Sequence, residues 1–325
     1  MKNKKARHAA QIINRPPLPF GLARRMAWIN VLQVMPFQFK RRESPAEALR
    51  RVSRERIGAA RDRLREGGHS AAIHDVRREI KKLRAIFRLA RARDGAGRYR
   101  KSVKALRMAA GCLAAPRDAR VMLKAFVKLA GTQAPRFGQI EKALRKHCRR
   151  ETRRFVKKKA VSMADRLLRK INRRVGDLKI ESSGWAAIEP GVNQACSRGR
   201  QAFAKVRRKP SPEHFHEWRK HVKILWYYFQ LLRPAWRPEV RALAGDFELL
   251  AAQLGEDHDL FLLQQFVVRH CGRHPTEAGA LNCLIATRQK VLRAAALRLG
   301  SKLYAEPPSA LCRRLEHCWN LWRGK

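Results

Sequence analysis

His74, Arg77 and Lys81 stand in the spacing H-x2-R-x3-K, and Arg84 and Arg88 continue the series. At 100° per residue these five cationic or ionisable side chains fall within an arc of roughly 80° on one helix face, with Ile73, Val76, Ile80, Leu83 and Phe87 opposite. One face is built to pack and the other to present positive charge. The same spacing returns as His216, Arg219 and Lys223, backed by Trp218, Val222, Leu225 and Phe229. The chemistry these types suit is anion binding. Arg offers a planar fork of donors for phosphate oxygens, Lys a mobile point charge and His a further donor. Donors one turn apart match a linear run of phosphates better than a compact ligand. A basic helix face is often only solvated surface, but the recurrence of the pattern argues for a shared task.

The recurrence extends beyond the two motifs. His74, Arg77, Lys81 and Leu83 reappear as His216, Arg219, Lys223 and Leu225 at a constant offset of 142 residues, and Leu113–Asp118 is matched by Leu254–Asp259 at an offset of 141. Two landmarks agreeing within one residue imply two related halves, packed about a pseudo-two-fold axis.

The elements that position these residues read as helices throughout. Ser44-Pro45-Ala46-Glu47 supplies an N-cap Ser, an N1 proline and an N3 Glu, a capping box ahead of a helix running to about Glu66. Ser211-Pro212-Glu213 starts the second motif helix in the same way. Apolar residues recur at three- and four-residue spacings, and no alternating β-branched run suggests a sheet. Joints are expected at Gly95 and Gly97, Pro116, Gly131 to Pro135, Gly176 to Gly191, Pro210 to Pro212, Pro234 to Pro238, Gly255, Gly272 to Pro275, and Pro307-Pro308. The expected fold is all-α, in two related helical halves. Residues 1–43 read as a basic arm containing Pro16, Pro17 and Pro19. The helical domain then covers 44–325, with halves at about 44–176 and 190–325.

Composition narrows the partner. The 325 residues carry 74 Lys and Arg against 26 Asp and Glu, a formal net charge of +48, and 45% are hydrophobic. That is a chain with a real core and a self-repelling surface, best explained by a polyanionic partner. A small neutral substrate would leave the charge unexplained. Seven scattered cysteines do not form a disulfide framework and fit a reducing cytosol, and no C-x2-C pair supports a zinc ribbon. The uncharged run from Met26 to Phe39 is too short to span a bilayer, so no transmembrane segment is expected.

Two further chemistries compete with binding. His216 and His221 are five residues apart, one too many for H-E-x-x-H, and would sit about 140° apart on a helix amid repelling cations, so no metal is expected. There is no G-x4-G-K-[ST] loop and no G-x-S-x-G elbow, and the sparse acidic residues do not assemble a two-metal set. A binding protein without cofactor is expected, not an enzyme. Asp118 and Asp259 each follow a turn signal and are read as helix N-terminal caps, the alternatives being orientation of a neighbouring Arg or His across the groove and retention of a divalent cation beside phosphate.

The residues His74-Asp75-Val76-Arg77-Arg78-Glu79-Ile80-Lys81-Lys82-Leu83-Arg84 resemble the H-x2-R-x3-K-x2-R signature of the conserved histidine α-helical domain, or CHAD, family. The run from His216 to Tyr227 matches it with Trp226 in place of the commoner Arg. Arg117-Asp118, His258-Asp259 and the basic Ser197-Arg198-Gly199-Arg200 segment are similar to further family features, and the resemblance covers about residues 44 to 325. It implies a pseudosymmetric helical bundle that binds inorganic polyphosphate through a basic surface or groove and is often associated with cytoplasmic polyphosphate granules. The expected polyphosphate-binding set is His74, Arg77, Lys81, Arg84, Arg88, Arg117, Arg198, His216, Arg219, Lys220, Lys223 and Tyr227, the last adding a hydroxyl where Trp226 removes a cation. Sequence-independent binding to a DNA or RNA backbone is the alternative, and weak nucleic-acid affinity is expected under either reading. Aromatics are 7% of the chain and those near the motifs fall mostly on apolar faces, which disfavours a base-stacking surface.

Overall fold

The computed structural model describes residues 37–66, 70–90, 96–157, 159–176 and 183–324. Eleven α-helices follow one another in these residues: α1 (Pro45–Arg65), α2 (Ser70–Ala90), α3 (Ala96–Cys112), α4 (Ala114–Ala130), α5 (Gly138–Lys157), α6 (Ala160–Val175), α7 (Glu189–Arg208), α8 (Pro212–Leu231), α9 (Pro238–His270), α10 (Pro275–Leu303) and α11 (Pro308–Arg323). Short 3-10 turns at Gly131–Phe137, Trp185–Ala187 and Arg233–Ala235 join some of them, and no strand occurs among the described residues. The fold is all-α.

The capping box at the start of α1 forms as its residue types require. The Ser44 hydroxyl accepts from the Glu47 amide at 3.3 Å, and the Glu47 carboxylate accepts from the Ser44 amide at 2.9 Å. Beyond it, Ala48, Leu49, Val52, Ile57, Ala60 and Leu64 face inward, and α1 packs on α2 as α7 packs on α8. Ile73, Val76, Ile80, Leu83 and Phe87 are all buried, as the helix-face argument requires. The α1–α2 contact also encloses a charge cluster, with fully buried Arg56 3.5 Å from Glu79, which Lys82 approaches at 3.1 Å.

Gly191 shows how closely α7 approaches the first motif helix, α2. A Cβ there would lie 2.6 Å from the Leu89 carbonyl oxygen, so only glycine lets α7 cross α2 at this distance. The main core runs through α1, α2, α3 and α6 into α7, α8 and α11. A second cluster, including Phe126, Phe137, Leu144, Leu263, Phe266 and Ile285, seals α4 and α5 to α9 and α10.

Three expected boundaries differ. Gly255 does not break the chain: α9 runs 33 residues straight through it, because good helix formers on both sides and the packing of α10 outweigh the roughly 1 kcal/mol that one mid-helix glycine costs. Pro116 lies in the first turn of α4, where its missing N–H has no helical partner to lose. The packed unit begins at Phe37 instead of residue 44. The Phe39 ring is 1% exposed, sits edge-on to Trp319, and its amide donates to the Leu231 carbonyl at 2.9 Å. The rest of the basic arm, with Pro16, Pro17 and Pro19, lies outside the described residues, as does Gly95. No helix among the described residues is long and apolar enough to cross a membrane.

Candidate functional site

The apolar faces of α2 and α8 are drawn into the core, and their cationic faces are thereby turned toward each other. Lys81, Arg84 and Arg88 of α2 and Arg219, Lys220, His221, Lys223 and Tyr227 of α8 line one cavity of about 110 Å³. His74 of α2, Arg117, Arg120, Lys124 and Lys128 of α4, and Gly255, Glu256 and Asp259 of α9 line a second cleft of about 600 Å³. Between the two clefts, Arg77, Lys81, Arg117, Arg219 and Lys223 act on one another across a half-buried centre, where Asp118 and Asp259 supply negative charge.

In that centre burial and neighbouring cations both disfavour the charged forms of the basic groups. Burial first, and then the nearby Arg219, Arg117, Arg77 and Lys223, push the Lys81 ammonium down to about 7. Burial and Arg219 bring Lys223 to about 8. His258 falls to about 3 for the same reasons, and burial also lowers His74, His216 and His221, so these imidazoles are held toward the neutral form. Burial raises the Asp259 carboxyl despite Arg117 and Arg219 beside it. Several donors in this centre have no hydrogen-bond partner among the described residues: Arg77 Nε, Arg219 Nε and, when protonated, His216 Nδ1. Buried donors of this kind are costly unless water or a ligand supplies acceptors.

A family model described as the CHAD domain matches residues 47–268. The chain belongs to the CHAD family. The crystal structure of the CHAD domain from the plant Ricinus communis superposes with a TM-score of 0.60 at 15% sequence identity, covering 84% of this chain and 96% of that one, a likeness of fold. No curated protein matches.

Within this CHAD fold most of the expected residues converge, and a few do not. Arg77 Nη1 donates to the Ala110 carbonyl of α3, which aims the guanidinium at the α4 side of the centre. The His216 and His258 rings lie 4.2 Å apart at 31°. Lys223 Nζ sits 4.0 Å over the Trp226 ring, so the residue that replaces a cation in the second motif holds a neighbouring one by a cation–π contact. Lys220 stands on the rim, 2.8 Å from Glu217. Tyr227 lines the motif cavity as expected, its ring 4% exposed and packed on Trp226 and Phe37. Arg198 is exposed on α7 and lines neither cleft, acting through its charge on His221.

The two aspartates also depart from the helix-cap reading. Asp118 is the fifth residue of α4 and Asp259 lies deep within α9, where no free helix N–H remains to be capped. Asp118 Oδ1 is 2.8 Å from Arg117 Nη1 and Asp259 Oδ1 is 3.8 Å from Arg117 Nη2, so both serve to orient that arginine. Sequence reasoning missed Arg120, Lys124 and Lys128, although Arg117-x2-Arg120-x3-Lys124-x3-Lys128 repeats the three- and four-residue spacing of the motif helices. Among the described residues, no group of three His, Cys, Asp or Glu side chains is placed to hold a metal ion.

Proposed function

We propose that this CHAD protein binds inorganic polyphosphate along the cationic faces of α2, α4 and α8, as a binding protein and not an enzyme. The observation that carries the reading is the half-buried cation centre, in which Lys81 is lowered to about 7 by burial and by four neighbouring cations. A protein does not gain stability from such a centre on its own. A chain of phosphates threading the two clefts would satisfy the unpartnered donors of Arg77 and Arg219 and return Lys81 to its ordinary charged state. His74, Arg84, Arg88, His216, Lys220 and Lys223 would bind from the cleft walls, with Arg117 held in place by its two aspartates. Targeting to polyphosphate granules in the cytoplasm is the role this binding best fits.

A competition titration tests it. Labelled long-chain polyphosphate, bound at physiological salt, is challenged with unlabelled polyphosphate, duplex DNA, single-stranded RNA or free phosphate. Displacement by polyphosphate at concentrations where nucleic acid fails supports the proposal. Equal or better displacement by DNA or RNA would reassign the clefts to nucleic-acid backbones.

A further inference from the structure

A further cleft lies away from the two motif helices. Helix α5 and the end of α9 enclose about 930 Å³ lined by Lys146, His147, Arg149, Arg150, Arg153 and Arg154 of α5 and by Phe266 and His270 of α9. Seven Lys and Arg between Lys142 and Arg154 face only Glu141 and Glu151 on the same helix. Glu141 is taken by Arg145 at 2.5 Å, and Glu151 by Arg150 at 3.2 Å and Arg154 at 3.5 Å. Lys146, Arg149 and Arg153 are exposed and have no carboxylate partner among the described residues.

Their spacing compounds the repulsion. Lys142–Lys146, Arg145–Arg149, Lys146–Arg150, Arg149–Arg153 and Arg150–Arg154 are all like-charged pairs at i,i+4, which work against a helix. The helix is kept by its buried side, where Ile140, Leu144 and Phe155 enter the core. The outer face is therefore a track of cations about 18 Å long at 1.5 Å per residue, held at fixed spacing by packing that the cations do not help.

We propose that the α5–α9 cleft is a second binding site for a linear phosphoanhydride chain, separate from the α2–α8 motif clefts. The ligand is taken over from the reading of the motif site, and the exposed chemistry of this cleft favours it over nucleic acid. Phe266 is 6% exposed and already packs on His147 and His270, at ring separations of 5.1 and 4.8 Å, so the aromatic surface is spent on its own contacts instead of open to bases. What faces outward is chiefly guanidinium and ammonium, matched to phosphate oxygens without regard to bases, with the His270 imidazole at the end of α9.

Two variants of the full chain separate the sites: K146Q/R149Q/R153Q on α5, and R77A/K81A/R219A/K223A in the motif helices. Each is checked for native helicity by circular dichroism and titrated with long-chain polyphosphate and with duplex DNA at several salt concentrations. The motif variant should retain salt-sensitive polyphosphate binding that disappears when the α5 substitutions are added. In the otherwise native protein, the α5 substitutions should reduce the slope of log affinity against log salt by about two, the change expected for three lost contacts with a single-stranded polyanion. An α5 variant that matches the native protein in affinity, stoichiometry and salt slope, beside a motif variant with no binding left, overturns the second site alone. So does an α5 variant altered only toward DNA. Failure of the native protein to bind polyphosphate at all overturns the motif-site reading together with this one, and is seen in the unsubstituted arm.

Discussion

Arg117 of α4 and Asp259 of α9 lie 3.8 Å apart across the junction of the two halves, while the other arm of the same guanidinium meets Asp118 at 2.8 Å. Asp118 and Asp259 are equivalents in the internal repeat, so one arginine is shared by a pair of repeated aspartates. The second half has His258 where the first has Arg117. Its imidazole is held toward the neutral form by burial and by Arg219, and it lies tilted against His216, the ring centres 4.2 Å apart. A pseudosymmetric frame therefore holds an asymmetric charge distribution.

Removing the cations of the centre should cost binding and spare the fold. For R77A/K81A/R219A/K223A we expect polyphosphate affinity to fall at least a hundredfold with helicity retained, because these side chains leave the apolar faces of α2 and α8 untouched. Fluorescence anisotropy with labelled polyphosphate, alongside circular dichroism, checks this. An intact fold with affinity within about twofold of native removes the site assignment.

Lys81 should make both stability and binding depend on pH. Its folded value of about 7 lies below the roughly 10.4 of an unfolded lysine. Between those values the unfolded chain binds the extra proton, so the stability of the free protein rises with pH across that window and loses this contribution as pH falls through 7. Lys81→Met should raise the melting temperature at pH 7 and flatten that rise. Polyphosphate reverses the sign by favouring charged Lys81, so binding at pH 8 should take up protons and weaken as pH increases. Titration calorimetry in two buffers of different ionisation enthalpy reads the uptake, and zero uptake contradicts the account.

The tight crossing of α2 and α7 gives a backbone test. In Gly191→Ala the new methyl would meet the Leu89 carbonyl oxygen at 2.6 Å, so α7 must shift. A loss of about 1–3 kcal/mol is expected for an overpacked contact, and denaturant titration measures it. Native stability would show that the two helices are free to separate.

Core substitutions should behave in the opposite way from the cation substitutions. Leu83 is fully buried on the inner side of α2. Leu83→Ala is expected to cost about 2–5 kcal/mol while leaving the polyphosphate affinity of the folded fraction within a few-fold of native. Chemical denaturation and binding measured well below the transition separate the two effects.

The motif spacing, the capping box at Ser44 and the buried faces of α2 and α8 were legible because they are local. Helical periodicity sorts side chains three and four residues apart onto faces, and the offset of 142 marks the repeat before any contact is known. Gly255 misled because one weak helix former was weighed without the α10 packing that carries α9 through it. The helix-cap reading of Asp118 and Asp259 failed with it, since a residue within a continuous helix has no free N–H to cap.

The amino-acid sequence by itself determined that the chain is helical, duplicated and strongly cationic, with the positive charge of each motif on one side of a helix. Tertiary structure alone decided that the two faces enclose a common half-buried centre with α4, that Tyr227 is wall and Arg198 is periphery, and that α5 carries a separate cationic cleft. The physical reason is that burial and the mutual field of charges depend on distances between segments far apart in the chain. Those distances exist only once the helices have packed.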